Sequence, residues 1–367
     1  MNKMIVANLV HRPIRTVISV VAIAVEVTLI LLIVGLSVGM LTDAKDRQSG
    51  IGADVMVRPP GSSNLIGITG APVSIKVADV LHRVRHVQVV SPVITQLSTT
   101  GTVEVIYGID YASFNSMGVP FRFLAGWPFT GPYDAIVDDY FATSKHVHVG
   151  QKIEILNQEF TVCGIVEHGK GARKFVPLTT IQGLIGAPGK ASMFYVKLDD
   201  PREADTVAAE IRRIPGMSGY FVTSLREYLS LMTMGNIPGL STFISVVIGV
   251  AVVIGFIVIF QTMYAAVMER TREIGILKSM GASKAYIINA ILRETILLAI
   301  LGIAVGIAIS YSARGAIVAH FSTLRIMVTP GWVVRATAIA IVGAVGGAIY
   351  PAFKAAQKDP IDALAYE

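Results

Sequence analysis

The sequence predicts an α-helical membrane protein with four transmembrane helices and a large α+β extracytoplasmic domain inserted between the first and second spans. Three observations carry this reading. Apolar residues make up 53% of the chain and charged residues only 15%, where a soluble domain carries about 25% charged residues. Four apolar runs, at residues 17–42, 239–268, 286–313 and 331–350, are long enough to cross a hydrocarbon core of about 30 Å. Between the first two lies a long stretch, 43–238, without a spanning run.

The total of 367 residues leaves room for one soluble domain of ordinary size beside four spans. A single cysteine, Cys163, excludes an intramolecular disulfide, so the domain must be held by its own core. The net charge of +6 suits juxtamembrane Lys and Arg meeting membrane lipid, and nothing in it favours nucleic acid.

In chain order, residues 1–16 carry Lys3, Arg12 and Arg15 and no acid. The apolar run that follows is too long for a signal-peptide core of about 7–15 residues, so it reads as an uncleaved first span. Glu26 interrupts it near the bilayer centre, where a charge costs roughly 2.5–3.5 kcal/mol. It should face the bundle, protonated or paired, with Arg293 of the third span as a candidate partner. A functional role and a structural hydrogen bond between helices both stay open.

The inserted region opens with a polar continuation, 43–49, that extends the first helix as a stalk. Strand-like stretches follow at Asp54–Arg58, Val87–Thr95, Thr102–Ile109, Ala135–Val137, Lys152–Ile155, Glu159–Val166 and Phe194–Lys197, each rich in Val, Ile, Phe or Tyr. Helical patterns lie at Lys76–Arg85 and Pro201–Ile214. Two β-α units thus flank a middle of strands and turns, 101–191, read as an inserted subdomain. A second stalk helix is expected at 224–235.

Between the second and third spans, 269–285 concentrates charge: Glu269, Arg270, Arg272, Glu273, Lys278 and Lys284. Its apolar residues Ile274, Leu277 and Met280 recur at three-residue steps and so share one helix face, fit to lie in the interface or dock on a partner. Gly281 supplies a helix stop and Ser283 an N-cap for the next span. A solvated loop is the plainer reading of the same spacing. The third span starts with Arg293 and Glu294, an outer loop occupies 314–330, and the tail 351–367 carries Lys354 and Lys358. Positive charge is denser at the N-terminus, in 269–285 and in the tail than in the outer loop, which places both termini and 269–285 in the cytoplasm.

The string ERTREIGILKSMGAS resembles the coupling segment of MacB/FtsX-type ABC transporter permeases, a superfamily of macrolide exporters, lipoprotein-release permeases and DevC-like proteins. The fragment VGQKIEILNQEFTVCGIVE resembles part of that family's periplasmic core. The tail residues Pro351, Ala352, Pro360, Ile361, Ala363 and Leu364 match its C-terminal pattern. The resemblance implies that Glu269, Arg270, Arg272, Glu273, Ile274, Gly275, Leu277, Lys278, Met280, Gly281 and Ala282 form a short helix docking on an ATPase.

It further implies a permease subunit in the cell (inner) membrane, with its large domain periplasmic or extracellular. The partners implied are a separate ABC ATPase subunit that binds ATP and Mg, and a second permease copy in a homo- or heterodimer. Export forms in Gram-negative relatives add a periplasmic adaptor of the membrane-fusion type and an outer-membrane duct. The function implied is mechanotransmission: ATPase motion drives export or extraction of a hydrophobic or amphiphilic substrate or a lipoprotein from the outer leaflet or periplasm. The alternative is an FtsX-like permease that transports nothing and switches an extracytoplasmic enzyme such as a cell-wall hydrolase.

Small residues recur four apart at Gly35/Gly39, Ala251/Gly255, Gly302/Gly306 and Gly343/Gly347, a spacing that lets helices approach closely. A dimer packed through these faces is the economical reading, and packing within one chain the other. No G-x-x-x-x-G-K-[ST] occurs, so the chain itself binds no ATP by a P-loop and is not expected to be an enzyme; no cofactor and no metal site are expected in it. His82 and His86 on a helical pattern, and His146 and His148 on a strand pattern, could each share a face, but neither pair is joined by a thiol. Phe121, Phe123, Trp127 and Phe129 form the densest aromatic patch outside the spans, read first as core and second as a contact for a lipidic substrate or partner.

Overall fold

A computed structural model describes residues 13–62, 70–98, 104–237, 239–321 and 323–358. Lys3 and Arg12, and the tail positions Pro360, Ile361, Ala363 and Leu364, lie outside these described residues. The chain divides into two compact units, residues 1–38, 239–319 and 326–367, and residues 39–238 with 320–325.

The first unit is helical. Helices α1 (Pro13–Ser49), α2 (Leu240–Glu269), α4 (Lys284–His320) and α5 (Pro330–Gln357) are each long and apolar enough to cross a membrane, and the short α3 (Thr271–Ser279) joins α2 to α4. Without a hydrophobic drive between helices in lipid, close packing has to come from small residues. A Cβ on Gly302 would lie 2.7 Å from Ile23 Cβ, and one on Gly306 2.8 Å from the Ala24 carbonyl oxygen, so α1 and α4 touch backbone to backbone there. Thr28 Oγ1 donates to the Gly306 carbonyl at 3.1 Å across the same contact. On α5, Ala336, Ala340, Gly343, Ala344, Gly347 and Ala348 form a buried stripe, and a Cβ on Gly347 would meet the Phe256 carbonyl of α2 at 2.8 Å. Gly35 is buried against Ile326 and Met327, whose N–H donates to the Gly35 carbonyl. These contacts are made within the chain, the alternative that the small-residue spacing also allowed.

Gly39 is buried as well, one turn beyond Gly35 on the same unbroken α1, so the two glycines lie on one side of that helix.

Two boundaries differ from expectation. The outer loop expected at 314–330 is helical over its first seven residues, because α4 continues to His320: Arg314 ends an apolar run, but a charge does not stop a helix, and Ala313–Ala319 holds no proline and one glycine, Gly315. The stalk expected at 224–235 is only the helix Leu225–Leu231, capped by Ser224 Oγ accepting from the Glu227 N–H. Met232 leaves helical geometry, and Gly235, Asn236 and Gly239 give the chain after it turn character, with Gly239 at φ 79.

The second unit is built on one mixed sheet. Its strand order is Phe221–Ser224, Val55–Arg58, Met193–Leu198, Val87–Ser98, Glu104–Ile109, Lys174–Pro177, Asp134–Asp138, Gln158–Val166 and Phe123–Gly126, with Lys152–Ile155 also paired to Gln158–Val166. The first four come from the flanks of the domain sequence and the rest from its middle, so the two portions join through the antiparallel pair Val93↔Ile109 to Ser98↔Glu104. The helices Val77–His82 and Ala204–Arg213 were legible, though the first is shorter than the sequence suggested. Tyr111–Asn115, Asp139–Lys145 and Leu178–Leu184 were not, being too short for a periodic signal.

The main core gathers Ile51, Met56, Tyr107, Phe114, Phe121, Phe175 and Tyr195. Gln48, near the end of α1, donates to Tyr107 Oη at 3.0 Å and accepts from Tyr195 Oη at 2.9 Å, pinning this end of the helix into the core. Burial pushes both phenols up from their ordinary pKa, so they stay neutral hydrogen-bonding groups.

Candidate functional site

The segment between α2 and α4 is a capped helix fixed at both ends. Thr271 is buried, and its Oγ1 donates back to the Val267 and Met268 carbonyls, so α3 starts in direct continuation of α2. Met280 ends α3, and Gly281 follows at φ 93. The Gly281 N–H donates to the Lys278 carbonyl and the Ala282 N–H to the Leu277 carbonyl, a Schellman closure that glycine is suited to make. Ser283 Oγ then accepts from the Tyr286 N–H as the N-cap of α4.

The faces of α3 divide differently from the sequence reading. Gly275 is buried, and Ile274 and Leu277 are half-buried, lining a small cavity of about 80 Å³ with Met263, Val267, Ile287 and Ile291. Of the three residues assigned to one docking face, only Met280 points out, at 71% exposure; it is joined by Ile276, Arg272, Glu273 and Ser279. The reason is that α3 must cover the α2–α4 junction, and that takes the 274/277 side. Glu269 closes α2 and is exposed, and Ala282 is half-buried beyond the turn.

Charge holds the segment in place. Arg270, between α2 and α3, donates from Nη1 to Glu294 Oε2 at 3.1 Å. Arg15, at the start of α1, donates from Nη2 to Glu294 Oε1 at 2.5 Å. Glu294 is 5% exposed and therefore sits in a nearly closed joint between two guanidinium groups. Removing one partner of such a buried arrangement costs about 3–5 kcal/mol, because it leaves charge uncompensated. At the other end, Lys278 Nζ donates to the Ala356 carbonyl at 3.0 Å and to the Lys358 carbonyl at 2.5 Å. These are the last carbonyls of α5, where a cation also meets the negative end of the helix dipole. The triad and this lysine tether were not read from the sequence. The available signal was a carboxylate at the edge of an apolar run, which has to find a cation.

The other intramembrane polar residues sit apart. Glu26 is 4% exposed, and Arg293 is not its partner: Arg293 is exposed and donates to Asn289 of its own helix at 3.1 Å. Arg293 and Glu294 are adjacent in sequence and so point to different sides of α4. Glu26 Oε1 has no hydrogen-bond partner among the described residues. Its carboxyl occupies the space a Cβ would fill at Gly255, and Gly343 lies on its other side.

Outside the spans, the histidine pairs separate. The helix from Val77 ends at His82, and His86 lies beyond it at φ 68 with Nδ1 on Asp199 at 3.1 Å. His146, at φ 53, ends the helix Asp139–Lys145, and His148 Nδ1 contacts its carbonyl oxygen, so the two share no strand face. The aromatic patch divides as well: Phe121 is buried against Phe114 and Phe175, while Trp127 is 56% exposed.

The chain matches two family models, the MacB-like periplasmic core domain over residues 16–214 and the FtsX-like permease C-terminal region over residues 245–360. It is 30% identical over 226 residues to an uncharacterized ABC transporter permease, YknZ, of Bacillus subtilis (strain 168), covering 59% of this chain and 55% of that protein. Over 386 residues it is 23% identical to the macrolide export ATP-binding/permease protein MacB of Burkholderia cenocepacia (strain HI2424), covering 97% of this chain and 56% of that one. The chain thus spans about half the length of these relatives. Among solved structures, the periplasmic region of MacB from Actinobacillus actinomycetemcomitans aligns at 17% identity and a TM-score of 0.38, covering 50% of this chain and 94% of that one.

Proposed function

Because the chain belongs to the MacB/FtsX-type ABC transporter permeases, we propose that it is the permease part of an ATP-driven transporter that works by mechanotransmission. An ABC ATPase docks on the outward face of α3 and moves it as ATP binds and is hydrolysed. The helices pass that displacement to the large domain, where a hydrophobic or amphiphilic substrate or a lipoprotein is handled outside the membrane. A second permease copy completes the ATPase-binding surface, and an adaptor receives the substrate.

The observation that supports this most directly is the Arg15–Glu294–Arg270 joint. A docking helix on a loose loop would absorb a push. Here the residue that opens α3 is linked through one buried carboxylate to α1 and α4, so a displacement of α3 loads two spans at once.

Reconstitution with the cognate ATPase tests the reading. Glu294→Gln keeps the size of the side chain and removes the charge. It should lower the melting midpoint, and in the protein recovered folded it should leave ATPase binding intact while lowering substrate-stimulated ATP hydrolysis about tenfold, the effect of some 1.4 kcal/mol. Wild-type stimulation in this variant would refute the joint. Stimulation by a cell-wall hydrolase in place of any transported substrate would refute transport.

A further inference from the structure

The second unit holds a polar cavity of about 220 Å³ that the mechanism above does not use. One water needs about 10–15 Å³ on the same measure, so there is room for a polar headgroup. Its walls come from α1 just past the first apolar run (Asp43 and Arg47), from the sheet (Glu104 and Arg173) and from the connection after α4 (Thr323 and Arg325). In sequence, Asp43 directly follows the first apolar run and Thr323 follows the third, so two of the walls come from segments that leave apolar spans.

The walls are charged in both senses. Arg173, only 8% exposed, donates to Asp138 at 3.0 Å, to Asp43 at 3.2 Å and to the Thr323 carbonyl at 3.2 Å. Arg325 Nη1 meets Asp46 at 2.5 Å while remaining 45% exposed, and Lys174 meets Glu104 at 2.6 Å. Arg47 Nε lies 3.2 Å from Asp43 Oδ2, but at an angle that leaves this buried N–H without a hydrogen-bond acceptor among the described residues. Burying a guanidinium donor unsatisfied costs free energy that an added acceptor would recover.

We infer that this cavity binds a phosphoethanolamine group, its phosphate on Arg47 and Arg325 and its ammonium on Asp43 and Glu104. Arginine forks match phosphate oxygens, and a primary ammonium offers three N–H donors to carboxylates. A quaternary choline offers none, so the cavity discriminates between the two commonest zwitterionic headgroups. An anionic headgroup with no cation would leave Asp43 and Glu104 facing its phosphate. The inference rests on the same membrane orientation as the proposed function, with the large domain outside, and not on how the ATPase is coupled.

The test uses the full chain in nanodiscs of equal phosphatidylethanolamine, phosphatidylcholine and phosphatidylglycerol, without ATPase or nucleotide. Native mass spectrometry after mild detergent release counts the retained lipids. Phosphatidylethanolamine should exceed each of the others by about tenfold, the worth of one charge-assisted hydrogen bond. Arg325→Ala should lower phosphatidylethanolamine retention, and Asp43→Asn should remove the preference over phosphatidylcholine, with the thermal midpoint of Arg325→Ala unchanged because that side chain is half in solvent. Soluble glycerophosphoethanolamine forms the second arm: if it displaces the lipid at millimolar concentration the source is a soluble phosphoester, and if it does not the source is the bilayer. Equal retention of all three lipids, or a wild-type preference in both variants, overturns the assignment. The assay stays readable if the coupling reading fails, and the Glu294 experiment stays readable if this one does.

Discussion

Two buried glutamates in the helical unit have opposite environments, and the difference separates their roles. Glu294 is compensated by Arg15 and Arg270 and belongs to a joint, whereas Glu26 is seated beside Gly255 and Gly343, which leave it space without supplying a donor. In the sheet unit the residue that answers to pH is Asp138. Burial raises its pKa from 3.8 to about 6, against the opposing pull of Arg173. The folded state thus holds this proton more tightly than the unfolded chain, so the stabilisation from the neutral form is full below pH 3.8 and is lost as pH rises through about 6. The thermal midpoint of the wild-type chain should therefore fall between about pH 4 and 6 more steeply than that of Asp138→Asn, followed by tryptophan fluorescence. Asparagine keeps the N-cap that Asp138 Oδ1 provides to the Phe141 N–H. Parallel curves for the two proteins would remove Asp138 from the account. None of these pairings could be read in advance, because Asp138, Arg173 and Asp43 are far apart in the chain and meet only through the sheet.

At the scale of elements, α3 decides which substitutions probe docking and which probe folding. Ile276 and Met280 face out, so Ile276→Asp and Met280→Asp should weaken ATPase binding about tenfold, the effect of burying an unpaired charge in a contact. Their thermal midpoints should match the wild type, because neither side chain packs inside the unit. Gly275→Asp should instead lower the yield of folded permease, since Gly275 is buried on the inward side of α3. Pull-down with the ATPase and a melting curve on the same samples separate the two outcomes, and unimpaired binding by both outward variants would move the docking face elsewhere. The Gly281 stop of this helix and the Ser283 cap of α4 were legible because each depends on neighbours in sequence, whereas the helix itself came from the family resemblance, its spacing fitting a solvated loop as well. Its orientation was not, because the three-residue apolar spacing is the same whether that face looks at a partner or at α2 and α4.

At the scale of the whole molecule, four apolar helices and one inserted domain require an odd number of crossings between 143–148 and α3. Lys145→Cys and Ser279→Cys, each exposed, should label oppositely in intact cells with a membrane-impermeant maleimide: Lys145→Cys reacts and Ser279→Cys reacts only after lysis. The wild type serves as the blank, since Cys163 is buried and its thiol is pushed up to about 12 by desolvation and by Asp134. Labelling of Ser279→Cys in intact cells would invert the topology and remove the cytoplasmic ATPase from the scheme.

Sequence alone determined the number of apolar helices, the position of the insertion, most of the sheet strands and the stop of α3 at Gly281, because apolar run length, two- and 3.6-residue periods and capping act over a few neighbouring residues. Tertiary structure decided which face of α3 is turned inward, and which helices Gly302, Gly306 and Gly347 bring together. It gave Glu294 two arginines and Glu26 none among the described residues. It also brought Asp43, Glu104, Arg173 and Arg325 around one cavity. Those outcomes depend on which distant segments come within a few ångströms of each other, and a burial or a charge pair has no meaning until that proximity exists.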